Sequence, residues 1–184
     1  MASVAVLMAE GFEEGETVTV VDILRRAGLT CDLFAFTEGP VMGMHGMYVH
    51  PDKVFPSDVK SYDAIVLPGG RPGGQNLREN PAVIDLIREF DAQDGKLIAA
   101  MCSGVIALAQ AGVVAGKKVT GYTGYAKKLP GAVFLDEVAV ADHNLVTSQG
   151  PATPYPFAYK IAEALGVDTS ALRQRMLYTL AGGK

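Results

Sequence analysis

The sequence predicts an α/β fold: a mainly parallel sheet with helices on both faces. Three observations carry this. Strand-like and helix-like segments alternate along the chain. The clearest strand segments are apolar at every position, as in strands covered on both sides. No repeat, low-complexity tract or linker divides the 184 residues, which fit one domain covering 1–184.

The elements follow in order. Ser3 to Met8 (SVAVLM) reads as a buried strand, broken by Gly11. Glu13 to Ala27 reads as a helix. Glutamates crowd its start, Arg25 and Arg26 occupy its last turn, and Gly28 stops it, all in accord with the helix dipole. Leu29 to Phe36 is a second strand, and Gly43 to Val49 a hairpin arm kinked at Gly46. Tyr62 to Leu67 is a buried strand closed by Pro68-Gly69-Gly70. Asn80 and Pro81 mark a helix start at N-cap and N1, and that helix runs to about Gln93. Lys96 to Met101 is a strand passing directly into Cys102 and the helical run Gly104 to Ala111. Residues 117–148 hold several short strands. Ala152 to Leu165 and Thr169 to Thr179 are the last two helices.

Composition narrows the function. The net charge is −4 and no Lys/Arg run occurs, so the electrostatic footprint of a nucleic-acid binder is missing. The apolar start, Met1 to Ala9, lacks a basic flank and is too short to span a bilayer, and no later run reaches membrane length. Two cysteines, Cys31 and Cys102, are too few for a disulfide framework and point to a reducing, cytoplasmic setting. With three scattered histidines they form no zinc spacing, so no metal is expected.

Ala100-Met101-Cys102-Ser103-Gly104 carries the strongest chemical signal. Small residues two before and two after the cysteine, between a buried strand and a helix, form the thiol analogue of the G-x-S-x-G nucleophile elbow. Such a turn lifts the thiol to the carboxyl end of the sheet, over a helix N-terminus. A small buried core cysteine at a strand end fits the same residues. The loop Leu67 to Gly74 (LPGGRPGG) matches neither a P-loop nor GxGxxG. Its glycines either bring a backbone N–H to the nucleophile or serve a turn needing positive φ. Glu10, Glu13, Glu14 and Glu16 suit a first helical turn, and one of them can point across the sheet edge toward the thiol. His45, His50 and His143 lie in loop or hairpin regions and give no Cys–His pair.

Six segments in register resemble the ThiJ/PfpI superfamily, in the branch of the Parkinson-disease protein deglycase. They are Glu13 to Val18, Asp22 to Gly28 (DILRRAG), Val66 to Gly70 (VLPGG), Gln75-Asn76-Leu77, Ile98 to Gly104 (IAAMCSG) and Thr147 to Pro151 (TSQGP). The resemblance runs from Ser3 to about Leu165 and leaves the far C-terminus outside. It implies a flavodoxin-like three-layer sandwich and a homodimer, with the first helix and the Gly43 to Val49 arm as the expected interface and Arg26 near it. It also implies Cys102 as the oxidisable nucleophile and Glu16 as its carboxyl partner. Gly70 and the backbone at Cys102 and Ser103 become the oxyanion-hole donors, and Gly69, Arg71, Tyr122, Gly150 and Pro151 line the pocket. Three departures stand out. Ser103 replaces an alanine common in the family. Tyr122, in Thr120-Gly121-Tyr122-Thr123, takes the place of a loop histidine. His45 is nearest in register to an interface arginine.

The expected function is a cofactor-independent glyoxalase III-like lyase or deglycase. Cys102 adds to an aldehyde of methylglyoxal, glyoxal or a glycated group, and Glu16 shuttles the proton. The alternative is a redox-sensing or chaperone-like stress protein using the same cysteine. An amidase or peptidase needs a general base that the sequence does not supply. Cys102 is expected to be ionised near neutral pH beside a protonated Glu16, the two titrating as one unit, whereas mid-strand Cys31 stays neutral.

Overall fold

The computed structural model describes residues 1–183. Its main sheet has seven strands in the order β10-β11-β7-β6-β1-β2-β5. These are β1 (Ser3–Met8), β2 (Thr30–Ala35), β5 (Lys53–Val54), β6 (Ala64–Leu67), β7 (Leu97–Met101), β10 (Ala139–Asp142) and β11 (Leu145–Ser148). All neighbours are parallel except β10, which runs antiparallel to β11. Two small pairs lie outside it: the hairpin β3 (Val41–Met42) with β4 (Tyr48–Val49), and the parallel pair β8 (Lys118–Val119) with β9 (Val133–Phe134).

The strand period of two sorts side chains into two cores. Val4, Val6 and Met8 of β1 enter one, with Val20, Ile23 and Leu24 of α1 (Glu14–Arg26) and Phe157 of α5 (Pro154–Ala164). Ala5 and Leu7 enter the other, with Leu77 of α2 (Gly73–Glu79), Ile87 of α3 (Pro81–Asp91) and Leu108 of α4 (Val105–Ala111). Helices therefore cover both faces, which explains why the central strands are apolar throughout. Connections leave β1 toward β2 on one side, and β6 and β7 add on the other. This order makes the carboxyl end of β1 a topological switch point, where α/β sheets open a crevice.

The structure corrects several boundaries. Gly73–Gly74 begins α2 instead of continuing a loop. Gly46, at φ 84°, turns the hairpin rather than kinking a strand. Strand β5 pairs over two residues only, too few for a periodic signal. Helix α5 starts at Pro154, later than Ala152, and α6 (Ser170–Arg175) is shorter than Thr169 to Thr179.

Candidate active site

Met101 ends β7 in extended backbone, and Cys102 then turns at φ 54°, a left-handed conformation that costs energy for a non-glycine residue. A short 3₁₀ turn, Cys102–Gly104, leads into α4. Gly104 permits the tight crossing, because a Cβ there would lie 2.3 Å from the Leu67 carbonyl oxygen. The turn sets Cys102 at the carboxyl edge of the sheet, with 8% exposure.

The glutamates at the start of α1 divide into three tasks. Glu13 is the N-cap, accepting from the Glu16 N–H at 2.5 Å. Glu14 binds the hairpin, accepting from the His45 N–H at 2.7 Å and the Met47 N–H at 3.4 Å and pairing with His45 Nδ1 at 2.9 Å. Burial pushes Glu14 up, but its own backbone N–H together with these bonds outweighs it and holds its carboxyl below the ordinary range. Glu16 is fully buried, and its Oε2 accepts from the Gly69 N–H at 2.8 Å. Its Oε1 is buried with no hydrogen-bond partner among the described residues.

Gly69 lies between the two reactive groups. A Cβ there would sit 2.6 Å from Cys102 Cβ, 2.9 Å from its Sγ and 2.7 Å from Glu16 Oε2. Only the missing side chain lets carboxyl and thiol face each other. The backbone N–H groups of Ser103 and Gly70 favour the thiolate and act to lower the Cys102 pKa. Gly70 holds φ 116°, and a Cβ there would meet the Gly11 carbonyl oxygen at 2.2 Å. Ser103 Oγ donates to the Gly70 carbonyl at 2.9 Å and so ties the two donor loops together.

Of the expected pocket residues, Gly69 and Gly150 come near the sulfur. A Cβ at Gly150 would lie 3.4 Å from Tyr122 Cδ2 and 4.0 Å from Cys102 Sγ, so Gly150 stands near both the ring and the sulfur. Pro151 and Arg71 are exposed in the adjoining turns. Arg26 is exposed on the last turn of α1 and pairs with Asp22 at 2.8 Å. A cavity of about 400 Å³ opens at the carboxyl ends of β1 and β2, lined by Met8, Glu10, Phe36, Met42, Tyr48 and Asn76 among others. It contains neither Cys102 nor Glu16, and the reactive geometry lies at the thiol.

Burial and the Glu16 carboxyl group oppose the expected ionisation of Cys102. Burial raises the Glu16 carboxyl to about 7, and the Glu13 charge adds to the rise, while Cys102 and the Gly69 N–H pull against it. Burial also raises the Cys102 thiol to about 12, together with the charge and hydrogen bond of Glu16, against the pull of the Ser103 and Gly70 N–H groups. Position at a helix start is therefore opposed by burial and by Glu16. Enclosure and the neighbouring carboxylate outweigh the backbone donors. Above about pH 7 the pair has lost one of its two protons, and Glu16 is placed to accept the thiol's. Cys31, buried in β2, is pushed up to about 12 mainly by burial.

A strained cysteine beside a buried carboxyl group, at the carboxyl edge of a doubly covered parallel sheet, defines a cysteine-centred α/β protein. The chain belongs to the DJ-1/PfpI family, whose model matches residues 2–164. It is 36% identical over 173 residues to the Parkinson disease protein 7 homolog of Danio rerio, covering 90% of this chain and 91% of that one. It is 35% identical to the glutathione-independent glyoxalase DJR-1.2 of Caenorhabditis elegans, covering 89% and 88%. It is 32% identical to the deglycase TK1284 of Thermococcus kodakarensis, covering 88% and 98%. Among solved structures, Drosophila melanogaster DJ-1beta superposes with a TM-score of 0.87 at 35% identity, covering 98% and 97%.

Proposed function

We propose that this protein is a cofactor-independent, cysteine-dependent enzyme acting on methylglyoxal, glyoxal or glycated groups. The observation that carries the reading is the Glu16 carboxyl held beside the Cys102 thiol across Gly69. The names of the glyoxalase and deglycase relatives support it. So does the enclosure of Cys102, a residue only 8% exposed, which suits a small aldehyde.

Cys102 is the nucleophile on an elbow, and Glu16 its base. As sulfur bonds to the aldehyde carbon, Glu16 takes the thiol proton and returns it to the new oxyanion, leaving a hemithioacetal. The N–H groups of Gly70 and Ser103 steady that oxyanion. The hydrogen on the former aldehyde carbon then moves to the adjacent carbon, and the hydroxyl proton moves to that carbon's oxygen, both by way of Glu16. The resulting thioester is cleaved by water to a 2-hydroxy acid and the free thiol. Each turnover consumes one aldehyde and one water and returns Cys102 unchanged.

The working unit is a cytoplasmic homodimer of one-domain chains. Its contact face is α1 with the β3–β4 hairpin. Val18 at 46%, Met47 at 58% and Tyr48 at 65% exposure leave unpartnered apolar surface there, which supports this assignment.

The experiment is cofactor-free conversion of methylglyoxal to lactate by dialysed protein, with Cys102→Ser alongside. Turnover by the wild type and loss in the variant support the reading. Absence of turnover removes it and leaves redox sensing, through oxidation of Cys102 to sulfinate, as the use of the same site.

A further inference from the structure

Glu13 caps α1 and Glu14 begins it, and both are nearly enclosed, at 9% and 5% exposure. Neither meets a lysine or arginine. Among the described residues, the one ion pair they make joins Glu14 Oε2 to His45 Nδ1 at 2.9 Å. Two adjacent carboxylates out of water are costly unless a cation or enough donors answer them. Backbone donors answer one oxygen of each. Glu14 Oε1 takes the His45 and Met47 amides, and Glu13 Oε2 takes the Glu16 amide. Glu13 Oε1 accepts no hydrogen bond among the described residues.

Folding also brings in a nitrogen ligand. The cysteines and histidines form no metal spacing along the chain, but His45 reaches this carboxylate pair from about thirty residues away. One ligand atom from each of Glu13, Glu14 and His45 lies within 4.8 Å of the other two. Around a tetrahedral zinc ion, with bonds of about 2.0–2.1 Å, ligand atoms stand roughly 3.3 Å apart. The His45–Glu14 pair is already at 2.9 Å, and the His45 side chain, 63% exposed, has room to make up the remaining distance. The backbone N–H bonds to the carboxylates are the outer support that orients metal ligands. Gly43 lets the hairpin close on the pair, since a Cβ there would lie 2.4 Å from Glu14 Cδ.

We infer that Glu13, Glu14 and His45 form a binding site for a divalent first-row transition cation such as zinc, which clamps the β3–β4 hairpin to the start of α1. Two carboxylates and one imidazole suit such a cation, and three protein ligands leave a further position open to water. The ion neutralises the enclosed carboxylates and takes the place of the hydrogen bond between Glu14 and the His45 ring. The group includes neither Cys102 nor Glu16, so the inference stands apart from the aldehyde reading.

The test is competition for zinc between the metal-stripped full chain and a chromophoric chelator. It is run on Cys102→Ser, in which the thiol cannot hold the ion, and this protein should bind one zinc ion per chain. Adding His45→Ala should weaken binding roughly tenfold or more, since even the outer partners of metal ligands are worth about 10–100-fold. Adding Glu13→Gln should do the same, while its amide oxygen can still accept from the Glu16 N–H and keep the helix cap. Adding His50→Ala, outside the group, should leave the affinity unchanged. Hydrogen exchange supplies a second readout. Zinc should slow exchange at the His45 and Met47 amides, which Glu14 holds, and should not do so once His45 is replaced. No saturable zinc binding by Cys102→Ser overturns the inference. So does unchanged affinity after either His45→Ala or Glu13→Gln, and so does exchange at these amides that zinc leaves unaltered.

Discussion

Glu16 Oε2 accepts the Gly69 amide hydrogen at 2.8 Å, and the same glycine has no room for a methyl group between that oxygen and Cys102. One residue therefore positions the carboxyl group and keeps its path to the thiol open. The site depends on a missing side chain as much as on those present.

Gly69→Ala should separate the two groups. The added Cβ would be within 3.0 Å of three heavy atoms, so the β6–α2 loop or the turn at Cys102 must move. The expected cost is about 1–3 kcal/mol of stability, with aldehyde turnover falling by more than the stability loss explains. Urea unfolding alongside kinetics reads both. Full activity in this variant would show that the thiol does not need the carboxyl group.

Glu16 makes stability fall as pH rises. Its folded carboxyl titrates near 7 against an ordinary 4.5, so between these values the folded protein binds the proton that the unfolded chain releases. The contribution is intact below about 4.5 and lost by about 7, amounting to roughly 3 kcal/mol. Glu16→Gln has no such proton. Its unfolding free energy should match the wild type more closely at pH 4.5 than at pH 8, where it should be the more stable. Parallel pH profiles for the two proteins would contradict this.

Glu14→Ala should loosen the hairpin. The buried carboxylate accepts from two backbone amides and pairs with His45, and its removal leaves those donors unmatched. Because the folded carboxyl lies below its ordinary value, its support is present at neutral pH and lost on acidification. Hydrogen exchange at the His45 and Met47 amides should accelerate at pH 7, with a stability loss of about 1.5–3 kcal/mol. Protection equal to the wild type would mean that the hairpin holds itself.

Met47→Glu tests the proposed contact face. Its side chain stands in the exposed apolar surface beside α1, so a charge there should dissociate the dimer while leaving the melting of each chain nearly unchanged. Sedimentation at micromolar concentration reads the outcome. A wild-type monomer would contradict the proposed dimer, and an unaffected dimer in the variant would place the interface elsewhere.

The sequence announced the central strands well, because SVAVLM and the apolar segments around 64–67 and 97–101 are covered on both faces. It also marked Asn80, whose side chain accepts from the Ala82 N–H at 3.0 Å as an N-cap should. Helix α2 was hidden because Gly73 and Gly74 read as loop. They are helical residues pressed on Phe12 and Ser103, where a Cβ would come within 2.8 and 2.4 Å. The cysteine was legible from the small residues around it. Its ionisation was not, since helix position shows in the sequence whereas enclosure by Glu16, Gly69 and Gly150 arises only in three dimensions. Among four glutamates near the sheet edge, resemblance singled out Glu16. The separate work of Glu14 on the hairpin had no local signal, because its partners lie about thirty residues away.

The most direct test of the shared proton is the pH dependence of iodoacetamide alkylation, with mass spectrometry separating Cys102 from Cys31. In the wild type, Cys102 reactivity should rise through an inflection near pH 7, where Glu16 loses its proton and can take the thiol's. In Glu16→Leu that inflection should leave the neutral range and move up toward the buried-thiol value, with Cys31 the slower residue in the wild type at every pH. The same Cys102 profile in wild type and variant, or faster reaction at Cys31, would contradict the account.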